Sequence, residues 1–276
     1  NLTDFSKTPI MRVQELVRRE AAHYGLTITK AELIGLTPQQ ALIDAARWYL
    51  QLDEMKESQI LEYRLIEEEE EDISADSFIE ATAEATPTPG GGSVAALAGA
   101  LSAALTQMVA GLTTGRKKYA AVAAESEAIR RRAFELKRRL AELISEDAAA
   151  FDAVMAAYRQ KEMSEKQKAA AIQKATLEAA RVPMEVAELS LESAELASEI
   201  AQIGNVNAAT DAAAGALMAQ SAVRAAALNV KVNANDLVDQ EMADSLRRQI
   251  TILEERIAEV TVTALAAAAE PPRLVL

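Results

Sequence analysis

The sequence predicts a mainly α protein, in which a helical bundle follows a small α/β segment. Half of the 276 residues are hydrophobic but only 4% are aromatic, so the apolar content is largely Ala, Leu, Val and Ile. This composition favours helices that pack closely through small side chains. From about residue 76 to residue 270, Ala, Glu, Leu, Arg and Lys recur with a helical period and no strand pattern is visible. Residues 1–66 mix helical and alternating patterns instead.

The first 66 residues predict two helices and one or two strands. "TPIMRVQELVRREAAHYG" has Pro9 in its first turn and Gly25 at its end, which is typical of a helix. "LTITKAELIGL", residues 26–36, alternates and is rich in β-formers, so it predicts a strand. "TPQQALIDAARWYLQL", residues 37–52, predicts a second helix, and "SQILEYRLI", residues 58–66, is a candidate closing strand.

An acidic run separates the two parts of the chain. "EEEEED", residues 67–72, predicts a solvated linker. We therefore expect a partial α/β domain at 1–66, a linker at 67–75, an all-helical domain at 76–270 and a tail at 271–276. Pro183 should begin a helix or kink one, and Gly204 followed by Asn205 predicts a helix end and a new cap. The expected helices are 75–84, 91–112, 118–159, 164–180, 183–203, 206–231 and 235–268.

Charge and composition narrow the possible partners and chemistry. The formal net charge of −13 argues against nucleic acid or an anionic membrane surface as a general partner. The chain has no cysteine, which removes disulfides, thiolate metal sites and a cysteine nucleophile and fits a reducing compartment. No metal-ligand spacing is present, since the only histidine is His23 and there is no HExxH. We therefore expect no metal.

"TPTPGGGSVAALAGALSAAL", residues 86–105, allows three interpretations. A phosphate loop is rejected because the stretch lacks the lysine and follows a helix. A membrane span nearly qualifies by count over residues 93–112, although Ala, Gly, Ser and Thr fill most positions. The third interpretation is a central helix that neighbouring backbones approach closely at Gly92, Ala96, Gly99 and Ala103. The glycines at its start leave backbone N–H groups open to a ligand carboxylate or carbonyl, which makes Gly91, Gly92 and Ser93 candidate binding residues.

Several motifs in order resemble a known family. "TPTPGGGSVAALAGALSAAL", "LTTGRKKY", "EDAAAF", "GNVNAATD" and "NVKVN" are similar to the cyclodeaminase/cyclohydrolase family of folate enzymes over roughly residues 76–268. "NLTDFSKTPIMRVQELVRREA" and "ELIGLTPQQALIDAARWYL", within residues 1–66, resemble the C-terminal end of glutamate formimidoyltransferase. The two in this order resemble the bifunctional formimidoyltransferase-cyclodeaminases.

The resemblance implies a cytoplasmic enzyme of one-carbon folate metabolism and histidine degradation. It implies loss of ammonia from 5-formimidoyltetrahydrofolate to give 5,10-methenyltetrahydrofolate, in a helical unit that dimerises with its folate pocket near the dimer interface. It implies no cofactor beyond the tetrahydrofolate-type substrate. Two alternatives stay open: a methenyltetrahydrofolate cyclohydrolase of the same fold, or a non-catalytic helical oligomerisation module. His23 matches no catalytic position of the transferase, so transferase activity is not expected if these 276 residues are the whole protein.

Asp147 is the candidate catalytic residue. It lies in "ISEDAAAF" and matches the family's proposed catalytic aspartate. Packing of the neighbouring alanines against another helix would desolvate the carboxyl and raise its pKa. A single carboxyl of suitable pKa can take a proton from one nitrogen and deliver it to another. The alternative is a surface or capping aspartate.

Two further sets of residues are candidate binding groups. Asn207 and Asp211, four apart, would share a helix face and could bind the donor and acceptor edge of a pterin ring, with Asp211 as a second candidate for the proton transfer. Helix capping is the alternative. The remaining candidates form a basic cluster expected close to the glycine turn, where it could hold the glutamate carboxylates of a polyglutamylated folate, or else form a solvated helix start. They are Arg116, Lys117 and Lys118.

A second pair of asparagines repeats the four-residue spacing further along the chain. Asn229 and Asn233 lie in "NVKVN". We expect them to be structural.

Overall fold

The structure, a computed structural model, describes residues 4–52, 54–56, 59–61, 75–161 and 163–269. The chain divides into two compact units, Asn1–Ser74 and Ala75–Leu276. The acidic run at 67–72 lies outside the described residues, as does most of the candidate strand at 58–66.

The described part of the first unit contains two long helices, α1 (Ile10–His23) and α2 (Gln39–Leu50). Each begins directly after a proline, as the sequence predicts, because proline fixes φ and has no N–H to leave unpaired. The two helices are joined by Glu15, whose carboxylate accepts a hydrogen bond from the Tyr49 hydroxyl at 3.0 Å.

The strand predicted over residues 26–36 is not formed. These residues have no regular secondary structure, and Ile34 and Leu36 are almost fully exposed. A strand needs a neighbour to take its backbone hydrogen bonds, and the described residues include no second strand. The alternating pattern therefore indicates only a preference for extended backbone, and within the described part of the chain these residues do not pair with another strand.

The second unit is an all-helical bundle, as predicted. One short helix, α3 (Ala75–Ala83), places Phe78 in the core. Five long helices follow and are α4 (Gly91–Thr113), α5 (Ala123–Arg159), α6 (Glu165–Ile203), α7 (Ala209–Asn235) and α8 (Gln240–Ala269). Single 3₁₀ segments precede α5, at Lys117–Val122, and α7, at Val206–Ala208.

Helix α4 packs against α5, α6 and α7. The small residues predicted to permit close approach are buried in these contacts. A Cβ added at Gly99 would clash with the Ser190 hydroxyl and lie 3.0 Å from Leu140 Cδ2. Glycine and alanine thus bring the helices to distances that larger side chains would prevent.

Helix α4 is also long and apolar enough to cross a membrane, with a mean hydropathy of 1.6. Half of the hydrophobic window is buried inside the bundle. A core helix of a helical protein has the same length and composition, so these two properties do not indicate a membrane span.

Helix α6 runs unbroken through Pro183, where the sequence predicted a helix start or a kink. Proline has no N–H, so the carbonyl of Ala179, four residues earlier, lacks its usual helical partner. The side chain of Asn233 on α7 replaces that partner, because its amide Nδ2 donates to Ala179 O at 2.6 Å. A neighbouring helix thus supplies the hydrogen bond that Pro183 removes.

Candidate active site

Asp147 lies directly against the first turn of α4. A Cβ added at Gly92 would lie 2.5 Å from Asp147 Cγ and 2.6 Å from Oδ2, so only glycine leaves room for this carboxylate. The Ser93 hydroxyl is 3.0 Å from both Asp147 Oδ2 and Ile144 O and is fully buried. Three of the predicted site residues are therefore in contact.

Two opposing effects act on the pKa of Asp147. Burial against α4 raises the pKa, and this effect is the larger one. Hydrogen bonds from the Ser93 side chain and backbone N–H lower it in part. The pKa of the carboxyl therefore lies above that of an ordinary aspartate, which suits a group that both accepts and donates a proton.

The same contact also caps the helix. Gly90, the residue before α4, has no side chain to bond the free N–H groups of the first turn. The carboxylate of Asp147 takes part of that role from α5. Asp147 therefore combines the two interpretations left open by the sequence, since it is both a cap and a desolvated carboxyl.

Asn229 of α7 also lies beside the first turn of α4, although its spacing in the sequence suggested a structural role. A Cβ added at Gly91 would lie 3.7 Å from Asn229 Nδ2, so the amide faces the glycine turn. The Nδ2 group donates to Ala225 O at 3.1 Å, and the side chain is half-buried. We call Gly91, Gly92, Ser93, Asp147 and Asn229 the aspartate cluster.

The other predicted residues lie at the opposite end of α4. Thr113, the last residue of α4, accepts a hydrogen bond from the Asn205 N–H at 2.9 Å, and Asn205 Nδ2 donates to Leu112 O at 3.3 Å. Asn205 also caps the short 3₁₀ segment, because its Oδ1 accepts from Asn207 N at 3.2 Å. The predicted helix end at Gly204 and cap at Asn205 are confirmed.

Asn207 and Asp211 do not share one regular helix face. Asn207 is exposed in the 3₁₀ segment, whereas Asp211 is half-buried in the first turn of α7. Ala208, which lies between them, has φ −116° and ψ 9° and separates the 3₁₀ segment from α7. Their four-residue spacing was therefore misleading.

The basic residues Arg116, Lys117 and Lys118 project from the turn after α4 and are exposed. Tyr119 anchors this turn, because its hydroxyl accepts from Val206 N at 3.2 Å. Within the described part of the chain, none of the three cations forms an ion pair. We call Arg116, Lys117 and Lys118 the basic cluster; Asn207 and Asp211 lie near the same end of α4.

The two clusters are far apart in one chain. Helix α4 has 23 residues, which corresponds to a length of about 35 Å. Along α7, Asp211 and Asn229 are separated by about 27 Å of axial rise. The expectation that Arg116, Lys117 and Lys118 lie close to the glycine turn is therefore wrong within one chain.

An apolar stripe connects the two clusters along the surface of α4. Its residues are exposed, and three of them are seven residues apart, which is two helical turns. They are Val94, Leu101, Met108 and Leu112. Among the described residues, no group of three or more His, Cys, Asp or Glu is arranged to hold a metal ion.

The family model described as formiminotransferase-cyclodeaminase matches residues 74–251. The chain belongs to this family. A second model, described as the formiminotransferase domain, matches residues 1–75. Both halves of the family's two-part organisation are therefore represented, although the first only in part.

The relatives of this chain are named for different activities. A methenyltetrahydrofolate cyclohydrolase of Methylorubrum extorquens is 39% identical over 67% of this chain and 93% of its own length. A glutamate formimidoyltransferase of Thermoplasma acidophilum is 54% identical over 24% of this chain and 22% of its own length. The rat formimidoyltransferase-cyclodeaminase is 31% identical, and the match spans only 34% of it.

A solved structure supports the fold. The formiminotetrahydrofolate cyclodeaminase of Thermotoga maritima superimposes with a TM-score of 0.65 at 30% identity, covering 71% of this chain and 95% of that one. The helical bundle predicted from the sequence is therefore the fold of the family.

Sequence reasoning missed the position of Asn229 within this family fold. A signal was present, since "NVKVN" is one of the motifs that carry the resemblance. Its spacing, however, is equally compatible with packing alone. Only the antiparallel alignment of α7 on α4 brings residue 229 beside residue 91.

Proposed function

We propose that the chain is a formimidoyltetrahydrofolate cyclodeaminase, which converts 5-formimidoyltetrahydrofolate to 5,10-methenyltetrahydrofolate and ammonia. The observation that carries this proposal is the carboxyl of Asp147, desolvated against the glycine turn of α4. The formiminotransferase segment at residues 1–75 favours the deaminase, because a transferase of this kind yields the formimidoyl group that the deaminase consumes.

The reaction asks little of the protein beyond geometry and proton transfer. The N10 amine of the folate attacks the carbon of the protonated formimidoyl group (N5–CH=NH2+), so the nucleophile belongs to the substrate and the positive charge passes to the methenyl product. Holding the two nitrogens together can contribute about 7–11 kcal/mol in favourable systems. The adduct then loses ammonia when the C–N bond to the former imine nitrogen breaks.

Asp147 would move the proton between these nitrogens. Its carboxylate takes the proton released from N10 as the ring closes. The resulting carboxylic acid donates that proton to the leaving nitrogen, and the carboxylate is regenerated. Burial raises the pKa of Asp147, which makes its carboxylate a stronger base for the first transfer.

We further propose that the working form is a dimer in which each aspartate cluster meets the partner's basic cluster. The two clusters lie at opposite ends of α4, and the apolar stripe runs between them. An antiparallel pairing of two α4 stripes would bury these side chains and bring opposite ends together. Arg116, Lys117 and Lys118 would then face the glutamate tail of a folate held at the partner's Asp147.

Specific findings also support a second candidate, a methenyltetrahydrofolate cyclohydrolase. The cyclohydrolase of Methylorubrum extorquens matches the chain over 93% of its own length. The same site suits that reaction. Water attacks the methenyl carbon, and Asp147 accepts one of its protons and passes it to N5 as the ring opens. The remaining hydroxyl proton is released to solvent, which leaves the 10-formyl form. The two reactions differ in whether ammonia is released.

One experiment separates these functions. The purified chain is mixed with 5-formimidoyltetrahydrofolate, and methenyl absorbance and ammonia are followed together, while a parallel cuvette contains methenyltetrahydrofolate. A cyclodeaminase produces both signals in equal amounts in the first cuvette. A cyclohydrolase consumes only the second substrate, and a non-catalytic module changes neither. Asp152→Asn, an exposed aspartate on the same helix, serves as the matched control for Asp147→Asn.

A further inference from the structure

A side chain of α7 bonds α6 at the carbonyl one turn before its proline. Pro183 leaves Ala179 O without a donor from its own helix, and the Asn233 amide donates to that oxygen at 2.6 Å. Pro183 is buried, and Asn233 is half-buried in the same contact. Because the bond is short, it favours one axial position of α7 on α6.

Asn233 lies one helical turn after Asn229. Residues four apart on a helix share a face and are separated by about 6 Å of rise. Asn229 faces Gly91 at the start of α4, in the aspartate cluster. Any slip or rotation of α7 that lengthens the Asn233 bond therefore also moves Asn229 relative to the glycine turn.

We infer that Asn233 is a positioning residue for the active site: by bonding the carbonyl that Pro183 exposes, it sets the distance between Asn229 and the glycine turn. This inference rests on the proposed function. Pro183 then contributes to the same interaction, because its missing N–H leaves Ala179 O free to accept the hydrogen bond from Asn233. An ordinary residue at 183 would offer its own N–H to that carbonyl, and the contact with α7 would weaken.

The test compares three variants of the full chain in the ammonia and methenyl assay. Asn233→Ala should lower the melting temperature, because Ala179 O loses its donor, and should lower kcat about 10- to 100-fold, as expected for a displacement near 1 Å. The double variant Asn233→Ala with Pro183→Ala restores an N–H for Ala179 O from within α6. The melting temperature should return most of the way to the wild-type value, but the activity should stay low, because α7 still lacks the hydrogen bond from residue 233 to α6.

Gln173→Ala is the matched control. Gln173 also ties α6 to the chain after α7, through Asp236 O at 3.0 Å and Val238 N at 2.7 Å, but it does not touch the body of α7. It should lower the melting temperature and leave kcat unchanged.

Two results would overturn the inference. If the double variant recovers kcat together with stability, Asn233 serves the fold alone. If Asn233→Ala keeps wild-type kcat while the wild-type chain is active, the bond does not position the site, and the proposed function stands. An inactive wild-type chain would instead reject the proposed function and this inference with it.

Discussion

Replacing Gly92 by alanine should disable the site through a displacement that can be estimated from the structure. The new Cβ would lie 2.5 Å from Asp147 Cγ and 2.6 Å from Oδ2, whereas ordinary contacts begin near 3.4 Å. The carboxylate must therefore move by about 0.9 Å at Cγ and further at Oδ1, the atom nearest to the new Cβ, and it has only two rotatable bonds with which to do so. A misplacement of about 1 Å can cost about 10²-fold in rate, which corresponds to roughly 2.7 kcal/mol of activation free energy.

The expected effect on stability is much smaller. Alanine gains about 1 kcal/mol over glycine in a helix interior, and somewhat less in the first turn, whereas overpacking costs about 1–3 kcal/mol. The net change is a loss on the order of 1 kcal/mol, or about 2–4 °C in melting temperature for a unit of this size. Activity should thus fall far more than stability.

The assay is methenyl formation and ammonia release, measured alongside thermal unfolding. Gly91→Ala is the paired comparison, because its Cβ would meet Asn229 Nδ2 at an ordinary 3.7 Å. Its loss of activity should be at least tenfold smaller than that of Gly92→Ala. If Gly92→Ala stays folded and within threefold of wild-type activity, the close contact between Asp147 and α4 is not required for catalysis.

Three further variants test the remaining parts of the proposal. Asp147→Asn should lose at least 10²-fold in kcat, while its melting temperature at pH 7 should equal or exceed that of the wild type. Because burial raises the pKa of Asp147 in the folded state, the ionised carboxylate costs stability at neutral pH. The stability advantage of the variant should therefore shrink as the pH falls through that pKa. Ser93→Ala removes a hydrogen bond that lowers the pKa of Asp147, so the acid limb of the pH–rate profile should move to higher pH. An unchanged acid limb would show that it does not report the titration of Asp147. Leu101→Glu places a charge in the apolar stripe and should convert a dimer to monomers in light scattering, with activity lost; an active monomer would contradict the shared site.

The sequence predicts the bundle well because its signals are local. Glycine, proline and asparagine at helix ends have direct backbone effects, so the helix end at Gly204 and the cap at Asn205 agree with the structure. The exception at Pro183 has a clear reason. The donor that Ala179 O receives in place of an N–H at residue 183 is on another helix, 54 residues along the chain. No pattern within α6 could reveal it.

The site is less predictable because it depends on which helix ends meet. The pairing of Asp147 with Gly92 joins residues from two helices, and no spacing within either helix indicates it. The basic residues at 116–118 follow the glycines closely in sequence but are separated from them by the whole length of α4. Nearness in sequence is a poor guide to nearness in space when a long helix lies between two motifs.

The contact of Asp147 with α4 and its proposed proton transfer can be separated because they need different properties of the side chain. The contact requires an oxygen that accepts from Ser93, which asparagine also carries. Proton transfer requires an ionisable group, which asparagine lacks. Asparagine would make the same contact with no charge to desolvate, so burial of an ionised carboxyl here costs free energy that the contact alone does not require. A raised pKa at this position therefore supports the proposed proton transfer.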